Sequence, residues 1–282
     1  MTVAAWVTAL LLGCFATSLP AAGQGRIETK KYRLQDLQQK ITKVVMTGNP
    51  FKDGALKQEV VARWHITPFE FCTNEEFEKL KKSKDFYFLV VVTGQFSGEI
   101  EPGIDFLTFI KGGDEAAEGL DAMFEVVSVP FGTPGGTGRE IAMLPALLDI
   151  IQDFALRARQ KDIHGYQGLS FYNRNFSRLK GRNVLIAEND LSIRVTPEDL
   201  EGFREHVVPD DEADDAMIAN RPGTIISYTV APEEPSSASR CYKMLLDTET
   251  HTLCYFKRQH ISGKTGTGFG PDEISRIAHT QR

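Results

Sequence analysis

The groups able to do chemistry in this 282-residue chain are thinly spread, and each cluster fails the spacing test of the reaction it suggests. Gly132-Thr133-Pro134-Gly135-Gly136-Thr137-Gly138-Arg139 precedes a helix-like run, where backbone amides could cradle a phosphate. A Walker loop counted from Gly132 needs Gly-Lys-Ser/Thr where Thr137-Gly138-Arg139 stand. Gly263-Lys264-Thr265 fails the same test, because the first glycine of a P-loop would fall on Arg258. These stretches read as a connector and a flexible tail. The acidic run Asp210, Asp211, Glu212, Asp214, Asp215 suggests calcium, but an EF-hand starting at Asp210 needs Gly at its sixth position and finds Asp215. It reads as a solvated acidic loop. His65, His164, His206, His251, His260 and His279 contain no His-x-x-x-His pair, so a zinc site would have to be drawn from distant segments. Neither a Gly-x-Ser-x-Gly elbow nor a Cys-x-x-Cys pair occurs. No catalytic, cofactor-binding or metal-ligating residue is assigned.

Cysteine chemistry turns on one pair. Cys72 closes an apolar run and reads as a small buried hydrophobe. Cys241 and Cys254 flank a turn and form the candidate disulfide, with strand register deciding it. A two-residue turn at Asp247-Thr248 sets them directly opposite. A turn centred on Thr248-Glu249 sets them diagonally, with Cα atoms about 7–8 Å apart, too far for a relaxed bridge.

The first charged residue is Arg26, and Val3 to Leu12 is almost wholly apolar, long enough for an export signal and too short to span a bilayer. Ala21-Ala22-Gly23 places small residues at the −3 and −1 positions of a cleavage site after Gly23. Leu11-Leu12-Gly13-Cys14 offers the alternative of lipid anchoring at Cys14. The expected location is therefore exported, periplasmic or extracellular, with no transmembrane segment in the mature chain. The composition, 41% hydrophobic and 25% charged, suits a globule with its own core. A net charge of −6 with scattered Lys and Arg gives no field for nucleic acid.

The periodicity that must position any site reads α/β (α+β). Ile41 to Met46 is strand-like, Gly48-Asn49-Pro50 a turn, and Asp53 the expected N-cap of a helix with Leu56, Val60 and Trp64 on one face. Ile66 to Cys72 follows, then the capping box Thr73-Asn74-Glu75-Glu76. Phe86 to Val92, apolar without alternation, is the expected central strand. Gly103 to Ile110 and Met123 to Val129 are further strands, separated by an acidic turn. Leu144, Leu147, Leu148, Ile151 and Phe154 mark the strongest helix, with Pro145 expected in its first turn. The order is β-α-β-α-β-β-β-α in a mixed sheet, followed by a C-terminal β-hairpin-rich region with strands at Val184 to Ala187, Thr224 to Val230, Arg240 to Leu246 and Thr252 to Ile261. Three segments result: a signal peptide over 1–23, an α/β domain over 24–182, and a β-rich region over 183–282 packed on it. No internal repeat is visible.

Thr47-Gly48-Asn49-Pro50-Phe51, the Trp64 to Cys72 segment, Leu144 to Asp153, and Leu253 to Ile261 followed by Gly268-Phe269 together resemble a family of exported proteins of unknown function from Bacteroides-type bacteria. That resemblance implies no activity. A second likeness, carried by Asp53-Gly54-Ala55-Leu56 and the strand-helix order, is to periplasmic lipoprotein domains of the CsgG or TolB N-terminal type, and it is topological only. The reading that results is a monomeric, non-enzymatic binding or assembly module of the envelope, with an open sheet edge and an envelope protein as partner. The alternative is a periplasmic or secreted hydrolase whose site is assembled from distant residues. The loop before the Pro145 helix and the stretch Tyr166 to Phe176 would be its walls.

Overall fold

The computed structural model describes residues 21–22, 31–99 and 101–281. Of residues 1–23, only Ala21 and Ala22 are described, so the expected export signal and the alternative lipidation at Cys14 lie outside the described residues.

Ala21–Ala22 forms a two-residue strand, β1, and Ile41–Val45 forms β2. The helix after it, α1 (Pro50–Arg63), starts earlier than Asp53. Its cap is Asn49, whose Oδ1 accepts the amides of Phe51 (3.0 Å) and Lys52 (3.2 Å), and Pro50 needs no partner at the first position. Asp53 instead reaches back, accepting the Thr47 amide and hydroxyl (both 2.7 Å) and the Gly48 amide (3.1 Å). That clasp fixes a turn in which Gly48 has φ +83°, a conformation that strains any side chain.

The strand β3 (Phe69–Cys72) leads into α2 (Asn74–Leu80), whose capping box forms as the sequence requires: Thr73 Oγ1 accepts the Glu76 amide and Glu76 accepts the Thr73 amide. Next come β4 (Phe86–Gln95), β5 (Ile104–Lys111) and β6 (Phe124–Gly132). The sheet order is β3-β2-β4-β5-β6, so the strand without alternation is the central one. Its two faces explain the pattern. Tyr87 and Leu89 enter the main core, where Tyr87 stacks on Phe109 with centroids 5.2 Å apart, while Phe88 packs edge-on against Phe77 of α2. The long helix α3 (Arg139–Gln160) buries Leu144, Leu147, Leu148 and Ile151, and it begins a full turn before the expected position, which places Pro145 inside the helix. The short α4 (Asp162–Gln167) and a 3-10 segment over Gly168–Leu179 follow.

The C-terminal part contains β7 (Asn183–Ala187), β8 (Val207–Val208), α5 (Asp210–Ile218), β9 (Thr224–Val230), β10 (Arg240–Asp247), β11 (Leu253–His260) and α6 (Pro271–Gln281). Its sheet runs β8-β7-β9-β10-β11. The first member strand pairs in parallel with an edge strand on one side and a central strand on the other, and two antiparallel strands complete the sheet. The first sheet has the same plan: β2 is parallel to β3 and β4, then β4, β5 and β6 alternate. Each sheet ends in a helix preceded by a glycine-rich loop. In each, a first-turn glutamate accepts an amide of that loop: Glu140 from Gly138 (2.9 Å) and Glu273 from Gly270 (2.9 Å). The chain thus carries a topological repeat that its residues do not display.

Three further expectations are corrected by packing. The acidic run is helix α5, not a loop, because Ala213, Ala216 and Met217 bury one of its faces. The tail 263–270 is built into the fold: Phe269 is fully buried and bridges Leu191, and a side chain on Gly268 would meet the Asp190 carbonyl oxygen at 2.4 Å. The candidate disulfide does not form. Cys241 pairs with Gln259, and Cys254 sits at the register shift beside Leu245 and Leu246. The turn is longer than either two-residue alternative, with Asp247 N donating to Thr252 O at 3.0 Å, so the two cysteines are far apart along the hairpin and both thiols are buried and free.

The two sheets share one core. Tyr242 of β10 lies edge-on to Phe106 of β5 (5.4 Å), and Arg139 at the start of α3 binds carboxylates of the second sheet's connections. Among the described residues, no helix is long and apolar enough to cross a membrane.

Candidate functional site

The chain leaves β2 toward β3 on one side and returns through α2 to β4 on the other. The carboxyl ends of β2 and β4 therefore diverge at the point where open α/β sheets form crevices. A cavity of about 250 Å³ opens there, lined by the residues that follow β2 (Met46, Thr47, Asn49), by Asn74 at the start of α2, by Val90, Val91 and Thr93 of β4, and by Pro134 of the glycine-rich loop.

Two charges meet at its base. Lys52, on the first turn of α1, and Asp105, the second residue of β5, form an ion pair at 3.1 Å with side chains only 10% and 6% exposed. Thr93 Oγ1 donates to the other Asp105 oxygen at 2.6 Å, and the Lys52 ammonium lies 5.8 Å from the centre of the Phe131 ring. A buried pair of this kind is tolerated only when each charge is met by its partner and by further hydrogen bonds. Asp105 accepts one hydrogen bond on each oxygen. Lys52 spends one N–H on Asp105, and Asn49 Nδ2 and the Asn74 amide have no partner among the described residues. The site therefore offers hydrogen-bond donors around a neutralised charge. The amides of α1 are already capped by Asn49, so the helix start itself presents nothing to an anion.

Counting from the strand starts that pair with the first residues of β2 and β7, Val230 corresponds to Val92 and its β10 neighbour Tyr242 to Phe106, so Cys241, the residue before Tyr242, falls at the place of Asp105. The Cys241 thiol accepts the Gly268 amide at 3.4 Å, and burial pushes its pKa up. At that place the packed 263–270 tail lies against the second sheet.

The loop that resembled a phosphate cradle borders the cavity, but its amides at Thr137 and Gly138 are taken by Glu140 (3.1 and 2.9 Å). Thr133 donates to Glu233 (3.3 Å), tying the loop to the second sheet's β9–β10 connection. Tyr166 to Phe176 is elsewhere: Asn173 binds the backbone of Phe256, fastening that stretch to β11. Of the histidines, His251 makes half of a triad, with Nδ1 2.6 Å from Asp149 Oδ2. Its Nε2 faces Asn220 Oδ1 at 3.1 Å, where a nucleophilic hydroxyl would have to stand. Among the described residues no group of three or more His, Cys, Asp or Glu could hold a metal ion. Lys52, Asp105 and Thr93 escaped the sequence reading. The available signal was a lone carboxylate inside the apolar run Ile104-Asp105-Phe106-Leu107, which a buried strand can hold only with a partner.

No protein family, curated protein or solved structure was found to match this chain.

Proposed function

We propose that this chain is a non-enzymatic binding module of the cell envelope, exported by its leader, which holds its ligand in the cavity between β2 and β4. The observation that carries this is the Lys52–Asp105–Thr93 cluster. Its acid and base neutralise each other, each carboxylate oxygen accepts a hydrogen bond, and no His, Cys or Ser lines the cavity. What remains is recognition: one ammonium and two amide groups with donors to spare. Water occupies about 30 Å³ per molecule in the liquid. The cavity of about 250 Å³ is therefore sized for roughly eight such volumes, a small polar molecule or one or two residues of a larger partner.

The test is a thermal-shift and calorimetric screen of amino acids, small sugars and short peptides against the wild type and Lys52→Met/Asp105→Leu. The double substitution removes both charges together and strands neither. A ligand that raises Tm in the wild type and not in the variant supports the module. Turnover of ester, glycoside or peptide substrates that His251→Gln abolishes would overturn it in favour of a hydrolase.

A further inference from the structure

We infer that the edge of β4 beside the cavity receives an extended peptide, aligned parallel to β4, with small residues at its rim. This names the partner class of the binding module and rests on that reading. Two observations carry it. First, β4 outruns its neighbour: β2 pairs with β4 only from Ile41–Phe86 to Val44–Leu89, whereas β4 continues to Gln95. After Val45 the chain turns off through the Thr47-Gly48 clasp, and the cavity opens against Val90, Val91 and Thr93. Among the described residues no strand pairs with β4 on that side between Val90 and Thr93, and such an edge is a template for another chain.

Second, the chain's own backbone shows what fits. Strand β1 sits on the same side of β4, in parallel, with Ala21 opposite Gly94 and Ala22 opposite Gln95. A peptide continued N-terminally in that register would pass Thr93, Val92 and Val91 and run into the cavity toward the end of β2, within reach of Lys52 and Asn49. The preference for small residues has a cause at Gly94: a side chain there would meet the Phe106 ring at 2.8 Å. A residue paired with Gly94 projects from the same face, under that ring, and must also be small. Ala21 and Ala22 precede the expected cleavage point after Gly23. In the exported chain this edge would be vacated and available to a partner's extended segment.

The test uses the full chain. Ala21→Pro/Ala22→Pro removes the amides through which β1 can join the ladder. Amide hydrogen exchange of Gly94 and Gln95, the residues β1 pairs with, is followed with and without an N-acetylated penta-alanine peptide. The expected result is exchange roughly tenfold or more faster in the variant, returning saturably toward wild type as peptide is added. Unchanged exchange in the variant, or fast exchange that the peptide does not slow, overturns the inference. If the peptide fails while a small ligand still binds in a Lys52-dependent way, the module survives and only the peptide partner falls. If both fail, the module falls with it.

Discussion

Replacing Arg139 by Met should show how the two sheets are held together. Arg139 begins α3 and reaches three carboxylates: Nε to Asp214 (3.0 Å), Nη1 to Asp190 (3.1 Å) and to Asp210 (3.7 Å). Asp190 follows β7 and is almost fully buried, accepting also from Ser227 Oγ (2.5 Å) and the Thr229 amide (2.9 Å). Burial pushes its carboxyl pKa up against the pull of Arg139 and those donors. Arg139→Met therefore leaves an uncompensated buried charge, a change that costs about 3–5 kcal/mol. Against a total stability on the order of 5–15 kcal/mol, that is a large fraction. Asp190→Asn removes the charge, keeps one acceptor oxygen for the Thr229 amide while turning an N–H toward Ser227 Oγ, and leaves Arg139 two other carboxylates, so the double variant should lose less than the sum of the singles, with a coupling of roughly 1–3 kcal/mol. Urea unfolding followed by circular dichroism at neutral pH measures all four species. The deficit of Arg139→Met should also shrink as pH falls, because the stranded Asp190 then takes up a proton and is no longer charged. A loss under about 1 kcal/mol, or strict additivity, would show that this network does not couple α3 to the second sheet.

Other expectations are simpler. Thr73→Ala removes one arm of the α2 capping box and should lower stability by about 1 kcal/mol in the same unfolding assay. Burial pushes the Asp214 carboxyl up to about 6 from an ordinary 3.8, in spite of Arg139. The folded state thus holds that proton more tightly than the unfolded one, and this group adds stability as pH falls from 7 toward 4. Relative to Asp214→Asn, the wild type should gain in unfolding free energy over that range; a relative loss would reverse the assignment. Burial pushes the thiols of Cys72 and Cys254 up to about 11 and about 12, and Cys241 is also raised. All three should resist alkylation at pH 8 in the native protein and react on unfolding, and rapid native labelling or a Cys241–Cys254 bridge in the mass spectrum would contradict the hairpin register.

Local rules were legible in the residues because they act over a few positions. The Thr73-to-Glu76 capping box, the unalternating central strand and the strand-helix order followed from spacing alone, since helix caps and side-chain periodicity are properties of neighbours. Where two local solutions compete, tertiary packing chose: Asn49 rather than Asp53 caps α1 because Asp53 is drawn back to Thr47 and Gly48. The acidic run became a helix because Ala213, Ala216 and Met217 found a core to bury in. The hairpin register, and with it the fate of Cys241 and Cys254, was set by a turn longer than the sequence suggested.

By itself, the sequence determined an α/β globule and the order of its elements, because hydrophobic period and turn chemistry are written residue by residue. Only the tertiary structure decided that the second half repeats the plan of the first, that Lys52 and Asp105, far apart in the chain, share one cavity, and that the Gly268 amide meets the Cys241 thiol in the second sheet. Those are long-range pairings, fixed by which strands become neighbours, and no window of sequence contains both partners.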